Sequence, residues 1–291
     1  MNISIQDFRV PEGAKVKLGK WPTAVPPVYR SKDEYEGLLQ QQVAKLARLQ
    51  ELLYASNQHA LLMMFQGMDT AGKDGAIKHV MSGVNPQGCE VTSFKHPSAA
   101  ELQHDFLWRT TRALPERGRI GIFNRSYYEE VVVVRVHPEL LRAESLPDND
   151  IDGDDEKFWR ARFRSIVELE NHLSRNGTRV IKFFLHVSKD EQRRRLLERA
   201  NDPEKAWKFN FADIREREHW PAYIDAYERC IGATSTRRVP WYIVPADDKQ
   251  NARLIVAKVV TDTLEKLDMQ YPEIGAPLQR SLRAARKALA D

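Results

Sequence analysis

The chain is punctuated by short, continuous apolar runs. They are ALLMMFQG at 60–67, RIGIFNRS at 119–126, RVIKFFLHV at 179–187 and VPWYIVPADD at 239–248, with a shorter one, CEVTSF, at 89–94. A run of this length without polar alternation reads as a strand buried on both faces, the pattern of a parallel sheet. Helical spacing of apolar residues fills the intervals, at 73–82, 98–113, 127–141, 157–175, 189–200, 215–231 and 249–269. Strands alternating with helices imply right-handed crossovers, hence an α/β fold with helices on both faces of the sheet. Ligands of such sheets bind beyond the carboxyl ends of the strands. Gly67–Lys73, Asn124–Arg125, His186–Ser188 and Asp247–Asp248 are therefore expected along one rim.

No linker divides the 291 residues, so one domain over 1–291 is expected. Residues 1–30, with Pro11, Pro22, Pro26 and Pro27, read as an irregular arm over the domain or over a neighbouring subunit. A helix follows from Ser31 to Tyr54, and Ser31 with Glu34 forms a capping-box pattern at its start. Residues 189–232 read as a helical lid insertion and 270–291 as a terminal extension. In that extension RSLRAARKAL is a basic helix, read as a solvated or subunit-contact element. No run of 18 apolar residues is present, and the N-terminus has no basic segment followed by an apolar stretch. Cys89 and Cys230 are the two cysteines, a usage that suits reduced thiols and a cytoplasmic protein. A net charge of +4 carries no signal for nucleic acid, and neither nucleic acid nor membrane is an expected partner.

The first long apolar run leads into GMDTAGKDG, a glycine, four residues, then Gly-Lys between a strand and a helix. That is the spacing and context of a phosphate-binding loop. Gly67, Met68, Thr70, Ala71, Gly72 and Asp74 would form the phosphate cradle, through inward backbone N–H groups and the helix start, and Lys73 would add a full charge. The bland alternative is a strand–helix turn with a solvated lysine. Asp74 occupies the position where Ser or Thr normally binds magnesium, and Asp69 adds a carboxylate inside the loop. A carboxylate holds Mg²⁺ directly or through water. Asp69 is expected to position a metal or an attacking phosphate oxygen, the alternative being a turn-forming cap. Asp74 is expected to serve the helix dipole and the N-terminal amides.

The run at 119–126 ends in IFNRSYYEE, on the same rim. Asn124 can coordinate a metal through its carbonyl oxygen, Arg125 can clamp phosphate through two donors, and Glu129 falls one turn beyond Arg125. An Asn turn with an i,i+4 surface pair explains these residues equally well. Lys189 to Arg217 is rich in charge of both signs, which by itself describes a solvated hairpin. Within it Arg195 and Arg199 share a face, as do Lys205 and Lys208, and a closing lid would strengthen such charges over a phosphate site. Arg199 and Lys208 are the main candidates, and Arg195 the next. Trp207, Phe209 and Phe211 are expected to pack the lid.

Two patterns fail on inspection. DNDIDGDDE at 148–156 begins like a calcium loop, but its twelfth position is Trp159 where a Glu is needed. The eight histidines form no zinc-ligand spacing.

Taken together, GMDTAGKDG, SFKHPS, FLWR, GIFNRSYYEEV and RANDPEKAWKF resemble the polyphosphate kinase 2 family, from FRVPEG near the N-terminus to VPWYIVPADDK. The resemblance implies a P-loop kinase fold similar to thymidylate kinase, in three α/β/α layers with a helical lid. It implies Mg²⁺-dependent phosphoryl transfer between inorganic polyphosphate and a nucleotide, with Mn²⁺ as the alternative ion. N-R-S-Y-Y-E is similar to the subgroup that accepts AMP as well as ADP and so forms ATP; GMP and GDP stay open. It moves Lys95 and Arg135 into phosphate-binding roles, and Asp69, Asn124 and Glu129 into the metal site. A homo-oligomer, dimer or tetramer, is expected. The rival readings are an ATP-dependent nucleotide kinase on the same scaffold and a non-catalytic polyphosphate- or nucleotide-binding module.

Overall fold

The computed structural model describes residues 3–144, 146–147, 155–204 and 206–290. Lys205 and most of the acidic stretch at 148–156 lie outside the described residues, as does the side chain of Lys208. In chain order the main elements are α1 (Lys32–Ser56), β1 (Ala60–Gln66), α2 (Lys73–Val80), β2 (Cys89–Ser93), α3 (Trp108–Thr111), β3 (Ile120–Asn124) and α4 (Glu129–Val136). Then come α5 (Glu156–Arg175), β4 (Thr178–His186), α6 (Lys189–Asn201), α7 (Phe211–Glu216), α8 (Trp220–Thr234), β5 (Trp241–Pro245), α9 (Lys249–Glu265) and α10 (Ala276–Ala288). All the strand pairs are parallel and the order is β2-β3-β1-β4-β5. The five apolar runs are the five strands, and β1, β4 and β5 are buried over nearly their whole lengths.

Helices α1, α2 and α9 pack together on one face, and α4, α5 and α8 on the other, giving three α/β/α layers. The chain crosses from β3 to β4 over β1, so the strand order reverses beside β1. The crevice at the carboxyl end of β1 is the place where such a sheet takes its ligand.

Local chemistry sets several element ends. Ser31 Oγ accepts from Glu34 N at 3.1 Å, and the Glu34 carboxylate reaches back to Arg30 N at 2.6 Å. The helix expected over 98–113 breaks into a short turn and α3. Ser98 and Glu101 cap one start, and Asp105 takes Leu107 N at 2.9 Å to begin another. Likewise Pro138 ends α4 in a 3-10 turn and Pro221 opens α8, because a proline has no N–H to extend a preceding helix.

The N-terminal arm lies on its own domain. Val10 N donates to Trp241 O at 2.9 Å, which covers the free edge of β5. Farther along, Leu18 O meets His186 Nε2 at 3.2 Å, Thr23 donates to Asp247 at 2.8 Å and Tyr29 to Asp248 at 2.6 Å. His186, Asp247 and Asp248 sit on the expected rim, but they tether the arm.

Beneath the rim is a buried ionic group. Lys182 on β4 has no exposed side-chain surface and donates to Glu170 at 2.6 Å, Thr234 O at 2.7 Å and Tyr128 Oη at 3.0 Å. Glu170 also takes Tyr127 Oη at 3.0 Å and Tyr128 Oη at 2.8 Å. These bonds fix the turn that follows β3.

Candidate active site

The link from β1 to α2 has the backbone that its glycines permit. Gly67 has φ +146°, and a Cβ there would lie 2.8 Å from Leu185 O, so no other residue fits. Gly72 is left-handed at φ +105°, and Thr70 stands at φ +62° without being glycine. Strain of this kind persists where neighbours hold the chain in place. Arg195 from α6 is one such neighbour, donating to Thr70 O at 3.1 Å and Ala71 O at 3.0 Å.

Lys73 is 8% exposed and lies across the loop, with Nζ donating to Gly67 O at 2.8 Å and Met68 O at 3.3 Å. Burial pulls its ammonium below the usual lysine range and the Arg125 guanidinium adds to the shift, while Asp69, Glu129 and Asp74 oppose it. Arg125 stands just past β3 at φ +66°, with its N–H bonded to Phe65 O at 3.0 Å. Its guanidinium bridges Asp69 Oδ1 at 2.7 Å and Glu129 Oε2 at 2.9 Å. Glu129, then Asp69, hold that guanidinium firmly charged. Asn124 Nδ2 donates to Asp74 Oδ1 at 2.7 Å, so the end of β3 is tied to the first turn of α2 across the crevice. Turned to satisfy both of its ends, the Gln66 amide donates to Glu129 Oε1 at 2.8 Å.

Asp69, Lys73, Asp74, Asn124 and Arg125 border a cavity of about 950 Å³, with Lys95 and His96 on one wall and Arg199, Trp207, Asn210 and Asp213 on another. Arg199 donates to Asp213 at 3.1 Å. Burial raises the Asp213 carboxyl, and the nearby Asp69 adds to that. Lys249 and Arg253, on the first turns of α9, also line the cavity. Sequence reasoning missed both. Lys249 directly follows the Asp247–Asp248 rim, and Arg253 is one turn on, so the end of the last apolar run was the signal.

Two expected phosphate ligands have protein partners already, Arg195 while lining the cavity and Arg135 away from it. Arg195 is 4% exposed and spends its nitrogens on Glu191, Thr70 O, Ala71 O, Ala246 O and Asp247 O. It acts on the loop's backbone, because packing of α6 brings carbonyls to it first. Arg135, on the last turn of α4, points away from the cavity, bonded to Glu156 and lying 5.3 Å from the centre of the Trp159 ring. The turns between Glu129 and Arg135 carry it to the far side. Trp207 and Phe211, expected as packing, are 77% and 71% exposed.

Among the described residues no three His, Cys, Asp or Glu side chains stand together as a self-sufficient metal site. Of the expected metal ligands, Asp69 and Asn124 line the cavity, whereas Glu129 does not and gives its two carboxylate oxygens to Arg125 and to the turned Gln66 amide. Asp69 and the Asn124 carbonyl oxygen suit a hard divalent ion that takes its remaining oxygens from phosphates and water, the usual habit of Mg²⁺. Thr70 Oγ1 is buried in the loop without a hydrogen-bond partner, leaving capacity for a ligand oxygen.

The family model described as polyphosphate kinase 2 (PPK2) matches residues 29–272. The ADP-polyphosphate phosphotransferase of Rhodopseudomonas palustris is 61% identical over 289 residues, covering 99% of this chain and 99% of that protein. The AMP/ADP-polyphosphate phosphotransferase of Meiothermus ruber is 46% identical over 229 residues, 79% of this chain and 80% of that one. The crystal structure of Polyphosphate Kinase 2 from Arthrobacter aurescens TC1 has a TM-score of 0.84 at 36% identity, covering 96% of this chain and 95% of that one.

Proposed function

The chain belongs to the polyphosphate kinase 2 family, and on that premise we propose that it transfers phosphoryl groups from inorganic polyphosphate to AMP and ADP. The observation that carries the reading is the meeting of Lys73, Arg125 and the loop amides at one end of a cavity large enough for a nucleotide and a length of polyphosphate.

The chemistry asked of the protein is positioning and charge neutralisation. The loop amides and Lys73 hold the phosphoryl group to be transferred, and Arg125 and Arg199 take up negative charge as it passes in line. Asp69 of the loop and Glu129 of α4 hold the Arg125 guanidinium between them. The acceptor phosphate is already anionic, so no strong base is needed. Asp69 and Asn124 would hold Mg²⁺, with Mn²⁺ as the substitute, and Glu129 would act through the Arg125 that it holds; when bound, the ion supplies further charge compensation at the phosphates. Lys95, Lys249 and Arg253 extend the cationic wall. No helix among the described residues is long and apolar enough to cross a membrane, and both cysteines are free, which supports a reducing, cytoplasmic setting. A dimer or tetramer is the assembly we propose.

The test is incubation of the protein with ADP, polyphosphate and Mg²⁺ in the absence of ATP. ATP should form, and AMP in place of ADP should yield ADP first. No nucleotide product would move the assignment to an ATP-driven kinase or a binding module.

A further inference from the structure

Lys95 stands one residue past the buried Phe94, in a stretch that over 94–98 is neither helix nor strand. A lysine on such a segment gains little as an anion ligand unless its backbone is held. The holding group is Arg109. One of its terminal nitrogens donates to Lys95 O at 2.7 Å and the other to Glu130 Oε1 at 3.0 Å. Its guanidinium lies 5.5 Å from the centre of the Phe94 ring, and Phe94 meets Phe123 of β3 edge-on at 4.9 Å. The Arg109 and Glu130 side chains are only 7% and 8% exposed, so the pair is not a solvent-facing accident. Glu130 is the neighbour of Glu129 in the first turn of α4, and Glu129 holds Arg125. From α5, Arg162 fixes that turn by donating to Glu130 O at 2.9 Å. A single helical turn thus holds one cavity cation directly and the backbone of another through a guanidinium.

We propose that Arg109 is a positioning residue for phosphate binding, clamping the backbone at Lys95 to α4 so that the Lys95 ammonium is presented to the same cavity as Lys73 and Arg125. The inference rests on reading that cavity as a phosphate site. Arg109 does not line the cavity, so any effect on substrate must pass through the segment it holds. The fork spans Lys95 O and Glu130 with two separate, fixed nitrogens; a lysine at the same place keeps the charge beside Glu130 but is shorter and must reach both acceptors from one point.

The experiment is a double-mutant cycle on tripolyphosphate binding, read by calorimetry, with ADP phosphorylation by polyphosphate followed in parallel. Lys95→Ala should weaken tripolyphosphate binding by about tenfold, the scale of one charge-assisted contact. Arg109→Lys should raise the dissociation constant and the KM by about as much, with kcat and folded content close to wild type. In the Lys95→Ala background, Arg109→Lys should add nothing further, because the side chain it positions is gone. Additive losses, or an Arg109→Lys variant that binds as tightly as wild type, would overturn the clamp while leaving the activity intact. Should Arg109→Lys unfold the chain, Glu130→Gln, which weakens the same clamp from its other end, must give the same non-additive pattern or the inference falls. Wild-type protein that neither binds tripolyphosphate nor phosphorylates ADP would remove the phosphate-site reading and the clamp with it.

Discussion

Lys73 and Lys182 both lose their water on folding, and burial pulls the ammonium of each below the usual lysine range. Their surroundings differ. Lys182 meets a carboxylate, a carbonyl and a phenol, one acceptor for each of its three donors. Lys73 meets two carbonyls, forms no ion pair among the described residues, and borders the cavity. A buried cation whose donors are all taken by the protein holds the fold together. One left short of a counter-anion beside an open space is prepared for an anion that arrives later. The two regions also differ in backbone. The loop at Lys73 holds strained left-handed residues, whereas Lys182 sits in a regular central strand.

The contrast predicts which substitutions act on stability and which on activity. The largest effect is expected for Lys182→Met, which leaves Glu170 buried and unpaired and should destabilise the fold by about 3–5 kcal/mol. Chemical denaturation would measure it, and the Lys182→Met/Glu170→Gln pair should recover part of the loss. A single variant that denatures like wild type would break the distinction between the two lysines. Next comes Lys73→Ala, which should lower kcat by about 10²–10³ with little change in folded stability, because a preorganised donor at the reacting phosphate is lost. A large fall in melting temperature would make Lys73 a second structural lysine. Arg195→Met should lie between the two classes. It frees carbonyls of the loop and of the β5 end, so a loss of about 1–3 kcal/mol is expected together with weaker tripolyphosphate binding.

The smallest effect is one of pH. Lys73 in the folded, ligand-free chain gives up its proton below the ordinary lysine value of 10.5, and the unfolded chain keeps it longer. In that window the unfolded state binds more protons, so unliganded stability should rise with pH while tripolyphosphate affinity falls. Calorimetry between about pH 7 and pH 10 would follow the affinity; the slope should shrink in Lys73→Ala. An unchanged slope would assign the titration to another group, not Lys182, which does not line the cavity.

Much of this was written in local chemistry. Continuous apolar runs, glycines at Gly67 and Gly72, and the Ser31 cap determine strands, loop and helix start through effects that reach only a few residues, and such effects can be read along a chain. The pairing of Arg125 with Glu129 belongs to the same class, being one helical turn long. Packing decided the rest. Arg195 and Arg199 are one turn apart, equally basic and both on the cavity wall, yet one is closed around loop carbonyls and the other is paired with Asp213. Lys249 and Arg253 enter the site because α9 packs beside α2, and Arg135 leaves it because α4 turns it toward Trp159. A guanidinium or ammonium binds whichever acceptors the assembled layers bring within about 3 Å. Its residue type sets what it can bind, and only the tertiary arrangement decides what it meets.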